Sequence, residues 1–433
     1  MPARHTMYSL MVLSQVLNWF MRVGLPQLVP FIVADLGLAE MQRGLLLGSF
    51  FPSYVVMQVP AAMLERLTGA KALIVANLLG VGGCLLAMPA AAAHSIRALT
   101  LLQALMGAFA GLLFPVQKVL LRDWAPVSLG TERVWALRAS AFGMQAGIVG
   151  ATFFTPLIAS GQAGWRAVPR LYGSVTVLGA LLWQLLATNS PKNWSGINSD
   201  ELALLLQDED GESSSSGGGG GAKEPSEPLP LEFLVRPPVL ATFWVNVADN
   251  ASMYTLQQWA AVWFMEVHKV SATKAGSFLA IANMVNVAGQ FISAAVETVL
   301  LRSGHSLVSV RRLGGGIGSI VQAVCIALFG LAPTPFLGSL IFSVHNLAES
   351  FTSNAYEANY IEFGGTHCAA LYGVGNALAN IPGFAIAALG ALVRARTGSL
   401  LPLFGGLAVF QALGGVAYGR LATTQQLRKT KRP

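Results

Sequence analysis

Charged residues are scarce in this chain of 433 residues, which is 54% hydrophobic and only 11% charged. Soluble globular domains carry about 25% charged residues. The deficit therefore argues against an ordinary soluble domain and indicates a protein whose surface faces lipid. In a membrane protein, the excess of basic residues behind the formal net charge of +7 reports which loops face the cytoplasm. We therefore expect no nucleic-acid partner.

Cysteine is equally scarce, and Cys84, Cys325 and Cys368 all fall in apolar stretches. We expect small buried thiols and no disulfide framework. The sequence also lacks a Walker loop, an HExxH or CxxC motif and the spacing of a catalytic triad. These absences argue against an ATP-driven pump or an enzyme, and we expect neither a metal nor another cofactor.

Long apolar runs dominate what is present. A helix that spans a bilayer needs about 20 mostly apolar residues, and we find twelve such runs. We therefore predict an all-α integral membrane protein with twelve transmembrane helices in two six-helix bundles. The predicted spans are 7–33, 44–64, 72–92, 98–121, 135–159, 171–187, 239–265, 275–299, 313–331, 335–356, 366–393 and 400–418.

A polar segment separates the sixth run from the seventh. Residues 189–235 are rich in Ser, Gly and acidic side chains, which predicts a flexible cytoplasmic linker. We place the N-terminal bundle at 1–188 and the C-terminal bundle at 236–433. Six spans on each side of a long loop are what a duplicated six-helix unit would give.

The positions of Lys and Arg predict the orientation. Most of the 27 basic residues lie on the inner side if both termini are cytoplasmic. The first apolar run is too long for a cleavable signal peptide, so none is expected. The sequence does not distinguish the plasma membrane from an organelle such as a plastid. We expect the bilayer and a small solute as partners, and a monomer.

Five stretches, in this order, resemble one family of transporters. They are GSFFPSYVVMQVPAAMLERLTGAK at 48–71, GLLFPVQKVLLRDWAPVSLGTER at 111–133, GWRAVPRLYG at 164–173, NSPKNWSGINSDE at 189–201 and NYIEFGGTHCAALYGVGN at 359–376. With the 6+6 layout they resemble the major facilitator superfamily. Within it they resemble the anion:cation symporter group of sodium–phosphate, vesicular glutamate, sialic-acid and plastid phosphate transporters, of which this chain would be a divergent member.

The resemblance implies a secondary active transporter that works by alternating access. It implies a small anionic substrate, phosphate or an organic anion, with H⁺ or Na⁺ as a candidate coupling ion. The first, fourth, seventh and tenth helices would line the central path.

Arg22 is the charge that stands out in the first apolar run, with Asn18 one turn earlier on the same face. A charge at the bilayer centre costs roughly 2.5–3.5 kcal/mol on insertion scales, so such residues usually face a cavity or a partner. The guanidinium fork fits carboxylate or phosphate, and the resemblance places a substrate-contacting arginine here. The alternative is a structural arginine paired with a carboxylate of another helix. We expect four further residues to shape the pocket: Gln103, Tyr254, Trp259 and Asn376.

The fourth helix departs from the family pattern. Many members carry an arginine and a glutamate there, the glutamate being associated with proton coupling. Gln103 and Ala110 stand at those positions, so we do not expect proton coupling through this helix.

Acidic residues occur instead in the seventh and tenth helices. Asp249 would pair with Arg22 or take up a proton. His345 and Glu349 are four residues apart and share a helix face. A carboxylate beside an imidazole can hold or release a proton near neutral pH. We hypothesise that Glu349, helped by His345, replaces the missing acid, and the alternative is that both are structural.

Charges after the second span resemble the cytoplasmic signature of the superfamily, and we assign the charges before the fifth span to the same gate. We expect a cytoplasmic gate built from Glu65, Arg66, Lys71, Glu132 and Arg133. Glycines at 44, 48, 107, 111, 143, 147, 373 and 375 are predicted to be helix-packing positions.

Two other functions remain open at this point. One is a transporter of neutral or cationic solutes in which Asp249 and Glu349 bind the solute and Arg22 is their counter-ion. The other is a receptor-like member of the fold that transports nothing.

Overall fold

The computed structural model of the chain describes residues 2–125, 131–214, 230–364 and 367–427. Within these ranges the regular secondary structure is entirely helical. The first half contains α1 Ala3–Leu36, α2 Glu40–Gly48, α3 Phe50–Thr68, α4 Ala70–His94, α5 Ile96–Ala110, α6 Leu113–Trp124, α7 Thr131–Ala159, α8 Ala167–Leu186 and α9 Ser199–Ser214. The second half contains α10 Leu231–Leu234, α11 Pro237–Glu266, α12 Ala272–Arg302, α13 Leu307–Arg312, α14 Gly318–Phe329, α15 Pro335–Gly364, α16 Cys368–Thr397 and α17 Leu401–Leu421.

Among the described residues, eight helical stretches are long and apolar enough to cross a membrane on their own. They are Ala3–Leu36, Ala70–His94, Ile96–Leu121, Phe142–Ala159, Ala272–Arg302, Leu307–Phe329, Leu371–Thr397 and Leu401–Leu421. α11 and α15 are not among them, although each has 30 residues. Their length would suffice, but polar side chains interrupt their apolar sequence, and these side chains form the candidate site described below.

Three predicted spans are interrupted in the structure. The second divides into α2 and α3 at Ser49, and the fourth into α5 and α6 near Gly111. The ninth contains a π-helical turn, Leu313–Ile317, between α13 and α14. This turn includes three consecutive glycines, which have a low helix propensity. They also allow close contact with α17, since a Cβ at Gly316 would lie 3.0 Å from the Cα of Gly419.

The chain divides into two compact units. Unit 1 comprises Met1–Ile32 and Ser49–Ala222, and unit 2 comprises Val33–Gly48 and Lys223–Pro433. In unit 1, α4 packs on α8 and α5, and α3 packs on α5. In unit 2, α12 packs on α15, α11 on α16 and α17, and α14 on α15 and α17. The short helix α2 packs on α16 and thus lies in unit 2.

α9 forms inside the segment that the sequence predicts to be a linker. Its residue Glu201 accepts hydrogen bonds of 3.1 Å from the backbone N–H groups of Ala3 and Arg4 and from the Arg4 side chain. The first N–H groups of a helix have no partner within it, so Glu201 caps the start of α1. Residues 215–229 of the predicted linker lie outside the described residues.

Most of the predicted packing glycines lie at close helix contacts. A Cβ at Gly143 would lie 2.7 Å from the carbonyl oxygen of Val12, and one at Gly147 would lie 2.7 Å from the Cβ of Trp19. Gly373 is different, because a Cβ there would have nothing within 4 Å. The prediction was wrong at that position, where spacing within a glycine-rich stretch did not reveal an open surface.

Candidate functional site

Arg22 lies among aromatic rings in unit 1. Its Cζ atom is 4.7 Å from the ring centroids of both Trp19 and Tyr54, 5.6 Å from that of Phe51 and 5.8 Å from that of Phe50. We call these four rings the aromatic collar. A guanidinium over an aromatic face is attracted by the ring quadrupole, by about 0.5 to 2 kcal/mol depending on desolvation. The collar therefore supports a cation inside an apolar helix.

The sequence builds the collar from two helices. Trp19 lies three residues before Arg22 on α1, and Phe50, Phe51 and Tyr54 occupy the first turns of α3. The rings of Phe50 and Tyr54 stack with centroids 5.4 Å apart. Arg22 itself is only half-buried. Since rings attract the face of the guanidinium whereas its N–H donors lie in its plane, the group can still bind an anion through its fork.

Asn18 has a different environment from Arg22. It is 2% exposed, and its Nδ2 atom lies 3.5 Å from Oδ1 of Asn77. Asn77 in turn donates to the carbonyl oxygen of Phe109 across 2.8 Å. The structure thus places Asn18 in a buried contact between α1 and α4, and its predicted contact with substrate stays a prediction.

Gln103 is fully buried in α5, and neither of its amide atoms has a hydrogen-bond partner among the described residues. It lies one turn before Gly107, where a Cβ would clash with the carbonyl oxygen of Phe50. The face of α5 that carries Gln103 therefore packs on the start of α3, the helix that carries three of the four collar rings. Leaving a buried amide without a partner costs about 1–3 kcal/mol, so Gln103 is a polar group with unused bonding capacity.

Unit 2 brings Tyr254 and Asn376 together through a third residue. The Tyr254 hydroxyl donates to Oδ1 of Asn380 across 2.9 Å, and Asn380 Nδ2 donates to the carbonyl oxygen of Asn376 across 2.8 Å.

Trp259 lies apart from this chain of hydrogen bonds. It is fully buried where Gly390 leaves room for its indole, which fits a packing role.

Asp249 is 3% exposed and belongs to a buried polar network of unit 2. Tyr356 donates to its Oδ2 atom across 3.2 Å, whereas its Oδ1 atom has no hydrogen-bond partner among the described residues. Gln322 lies beside the carboxyl group. Gln411 extends the network, because it donates to Gln322 and accepts from Ser252, each across 3.2 Å.

Glu349 lies on α15 and is close enough to Asp249 for the two carboxyl groups to interact electrostatically. Its Oε2 atom accepts a hydrogen bond of 3.2 Å from Asn286 Nδ2 of α12. His345 is 1% exposed, and its Nδ1 atom lies 3.3 Å from Oδ1 of Asn346. Glu349 thus contacts Asn286, and His345 contacts Asn346. The carboxyl group that interacts electrostatically with Glu349 is that of Asp249, on another helix.

The predicted cytoplasmic gate is described in part. The carbonyl oxygen of Glu65 accepts a hydrogen bond from Gly69, and the backbone N–H of Lys71 donates to Asn189 Oδ1 across 2.7 Å. The side chains of Arg66, Glu132 and Arg133 lie outside the described residues. The gate remains a prediction.

Comparison with known proteins identifies the family. The sequence model of the Major Facilitator Superfamily matches residues 11–391, which is most of the chain. The chain belongs to the major facilitator superfamily. It is therefore a multi-pass integral membrane protein, as its composition predicts.

Two relatives within the superfamily carry transporter names. The chain is 25% identical to "Probable anion transporter 4, chloroplastic" of Oryza sativa subsp. japonica over 433 residues, which cover 98% of this chain and 70% of the relative. It is 24% identical to "Ascorbate transporter, chloroplastic" of Arabidopsis thaliana over 391 residues, which cover 89% of this chain and 68% of the relative.

A solved structure shows the major facilitator fold directly. A bacterial homologue of the human lysosomal transporter Spinster has a TM-score of 0.74 with this chain at 16% sequence identity, covering 98% of this chain and 96% of that one. At this identity the similarity shows the fold alone. The predicted fold class, twelve transmembrane helices in two six-helix bundles, is confirmed.

Sequence reasoning missed several residues of the candidate site. Tyr356 lies seven residues after Glu349, and that spacing on one helix face was an available signal. Three of the collar rings, Phe50, Phe51 and Tyr54, lie in the motif at 48–71, which was used only as a family resemblance. Asn286 and Gln322 gave no signal, because their partners lie on other helices.

Proposed function

We propose that this member of the superfamily is a secondary active transporter that moves a small anion, phosphate or an organic anion, across a membrane by alternating access. Relatives named as transporters of anions and of ascorbate support the substrate class. The observation that carries the proposal is the half-buried Arg22 within the aromatic collar. A permanent cation at this depth is expensive unless it has a role there.

Arg22 is the proposed anion anchor. A guanidinium does not deprotonate in proteins, and its planar fork can donate two parallel hydrogen bonds to a carboxylate or phosphate. The collar fixes the position of the guanidinium and lowers the local dielectric constant, which strengthens its attraction for an anion. Gln103 adds an amide with unused donors and acceptors on a neighbouring helix of unit 1.

Tyr254 and Asn376 are the proposed pocket residues of unit 2. The hydrogen bond from Tyr254 to Asn380 links α11 to α16, and Asn380 in turn donates to the backbone carbonyl of Asn376 one turn earlier on α16. Asn18 and Trp259 support the pocket from buried positions and do not touch substrate in this proposal.

Asp249 and Glu349 are the proposed coupling site. Two carboxyl groups that interact inside an apolar protein repel one another when both are charged. A bound H⁺ or Na⁺ offsets that repulsion, and the buried Oδ1 atom of Asp249, which accepts no hydrogen bond among the described residues, supplies an acceptor for it. Both acids lie in unit 2, whereas Arg22 lies in unit 1. Coupling then requires the two units to respond to one another during the cycle.

The orientation proposed for this transporter has both termini in the cytoplasm, and the protein acts as a monomer and not as an enzyme. The bias of Lys and Arg toward that side supports the orientation.

Uptake by purified protein in liposomes tests the proposed function. The panel contains phosphate, monocarboxylates, dicarboxylates and ascorbate, together with neutral sugars and organic cations. The proposal predicts uptake or counterflow of at least one anion and none of the sugars and cations. Uptake of a neutral or cationic solute alone would favour the alternative in which Asp249 and Glu349 bind the solute. Absence of exchange or ligand-induced stabilisation across the panel would favour a receptor-like protein.

A further inference from the structure

Four charged side chains at one end of unit 2 form a closed ring of alternating charge. Arg43 Nη1 lies 3.2 Å from Glu266 Oε1 and 3.6 Å from Glu40 Oε2. Arg394 Nε lies 3.3 Å from Glu40 Oε1, and its Nη2 atom contacts Glu266 Oε2. We call these four residues the ionic ring. It joins α2, the end of α11 and the last turn of α16.

The two arginines of the ionic ring are largely buried, so the ring differs from a set of exposed ion pairs. The Arg43 side chain is 5% exposed and that of Arg394 is 21% exposed. Isolated exposed ion pairs contribute little and are screened by salt, whereas networks with buried members are screened less. Each member contacts two members of opposite charge, so the loss of one leaves two others with a single partner each.

The position of Glu266 supports a role in the ionic ring. It is the last residue of α11, and the C-terminus of a helix is the negative end of its dipole. An acid there is unfavourable for its own helix. Glu40 in the first turn of α2 and Arg394 in the last turn of α16 have the favourable sign. The two arginines account for an acid at the end of α11.

α2 depends on unit 2 for its stability. It has nine residues, which is too short for an isolated helix in water. A Cβ at Gly44 would lie 2.5 Å from the Cβ of Ala391, and one at Gly48 would lie 3.0 Å from the Phe384 ring. The two glycines therefore let α2 lie directly on α16, and the ionic ring holds the start of the same helix.

The chain passes from one unit to the other directly after α2. α2 belongs to unit 2, whereas α3, which begins at Phe50, belongs to unit 1. Only Ser49 separates the two helices. The aromatic collar around Arg22 begins at Phe50, so a change in the docking of α2 acts on a residue next to the proposed anion anchor.

We propose that the ionic ring is a clamp that fastens α2 to α11 and α16 in one state of the transport cycle and opens in another. The inference rests on the proposed function, alternating access. The ring divides without leaving net charge on either part, because Glu40 and Arg43 remain paired on α2 while Glu266 and Arg394 remain paired on α11 and α16. A clamp of this kind is strong when closed and leaves no isolated charge when open.

Thiol labelling tests the clamp without knowledge of the substrate. Leu47 on α2 is 2% exposed, so the thiol of a Leu47→Cys variant is protected while α2 is docked. Reaction with a maleimide, followed by peptide mass spectrometry, measures how often it is exposed. Adding Glu266→Gln or Arg394→Gln should raise the labelling rate about fivefold, the effect of losing roughly one network contact.

Three matched variants and one native thiol control this experiment. Arg394→Lys keeps the charge and should label slowly, as should Arg396→Gln, which removes an exposed arginine two residues away. The double variant Glu266→Gln with Arg394→Gln should label no faster than the faster single variant, because both changes break one network. Cys84, buried in unit 1, reports general loosening.

Two outcomes would overturn the clamp. One is a labelling rate of Leu47→Cys that neither single neutralisation changes. The other is an equal rise at Cys84, which would mean that the substitutions loosen the whole protein. Neither outcome bears on whether anions are transported, so failure of the clamp and failure of the proposed function are distinguished.

Discussion

The hydroxyl group of Tyr356 donates a hydrogen bond to Oδ2 of Asp249 across 3.2 Å, joining α15 to α11 at a buried carboxyl group. The other carboxyl oxygen, Oδ1, has no hydrogen-bond partner among the described residues. One oxygen thus accepts a hydrogen bond from Tyr356, whereas the other, with Gln322 beside the carboxyl group, accepts none. This asymmetry supports the proposal that a coupling ion binds at Asp249.

Tyr356→Phe should destabilise the protein by about 1–3 kcal/mol, because it leaves a buried acceptor without its donor. Thermal unfolding in detergent measures the loss. Asp249→Asn keeps an acceptor for Tyr356 and removes the buried charge, so it should be neutral or stabilising. The two effects should not add, since the residues share one contact. An additive double variant would show that Tyr356 stabilises the protein through other neighbours.

Glu349→Gln should abolish uptake driven by a pH or Na⁺ gradient and spare counterflow. Counterflow needs the substrate site and the conformational change but no net ion movement. His345→Gln is the matched control on the same helix. Because His345 lies against Asn346, its substitution should leave the ion dependence unchanged. Equal loss of driven uptake in both variants would support the His345–Glu349 pairing that the sequence suggested.

Tyr54→Leu should raise the KM for the transported anion about two- to fivefold, because it removes a ring that lies 4.7 Å from the Arg22 Cζ atom. Tyr54→Phe keeps the ring and removes only the hydroxyl, so its KM should match that of the unmodified protein. Initial rates of uptake in liposomes measure both. If Tyr54→Phe has the same effect as Tyr54→Leu, the hydroxyl and not the ring supports the site.

Asn77→Ala should lower stability by about 1–3 kcal/mol without changing which anion is preferred. It removes the donor to the part-buried carbonyl oxygen of Phe109 and the neighbour of the buried Asn18 side chain. Thermal unfolding measures the stability, and uptake with competing anions measures the anion preference. A changed anion preference would return Asn18 to the substrate-binding residues.

Composition and hydropathy were sufficient to predict a membrane protein of long helices, because a bilayer leaves few alternatives. The two six-helix bundles followed from the central polar segment and the family resemblance. The breaks at Ser49 and at Leu313–Ile317 were not predicted, since they depend on contacts with other helices. α11 and α15 were predicted as spans even though Asp249, His345 and Glu349 interrupt their apolar sequence.

The individual site residues were only partly predictable. Arg22, Asp249 and Glu349 stood out because an intramembrane charge is rare and expensive. Spacing suggested that His345 would assist Glu349, and this stays a prediction, since spacing reports only a shared face. The contact of 3.3 Å between His345 Nδ1 and Asn346 Oδ1 was not predicted. The ionic ring combines residues more than 350 positions apart, such as Glu40 and Arg394. Only the folded chain shows such a combination.

The role of Arg22 is tested most directly by anion uptake in liposomes, comparing the unmodified protein with Arg22→Gln, Arg22→Lys and Arg170→Gln. Arg170 is an exposed arginine at the start of α8 and serves as the matched control. We expect Arg22→Gln to abolish anion uptake, Arg22→Lys to retain a small part of it, and Arg170→Gln to behave as the unmodified protein. Undiminished anion uptake by correctly folded Arg22→Gln would show that Arg22 is not the anion anchor.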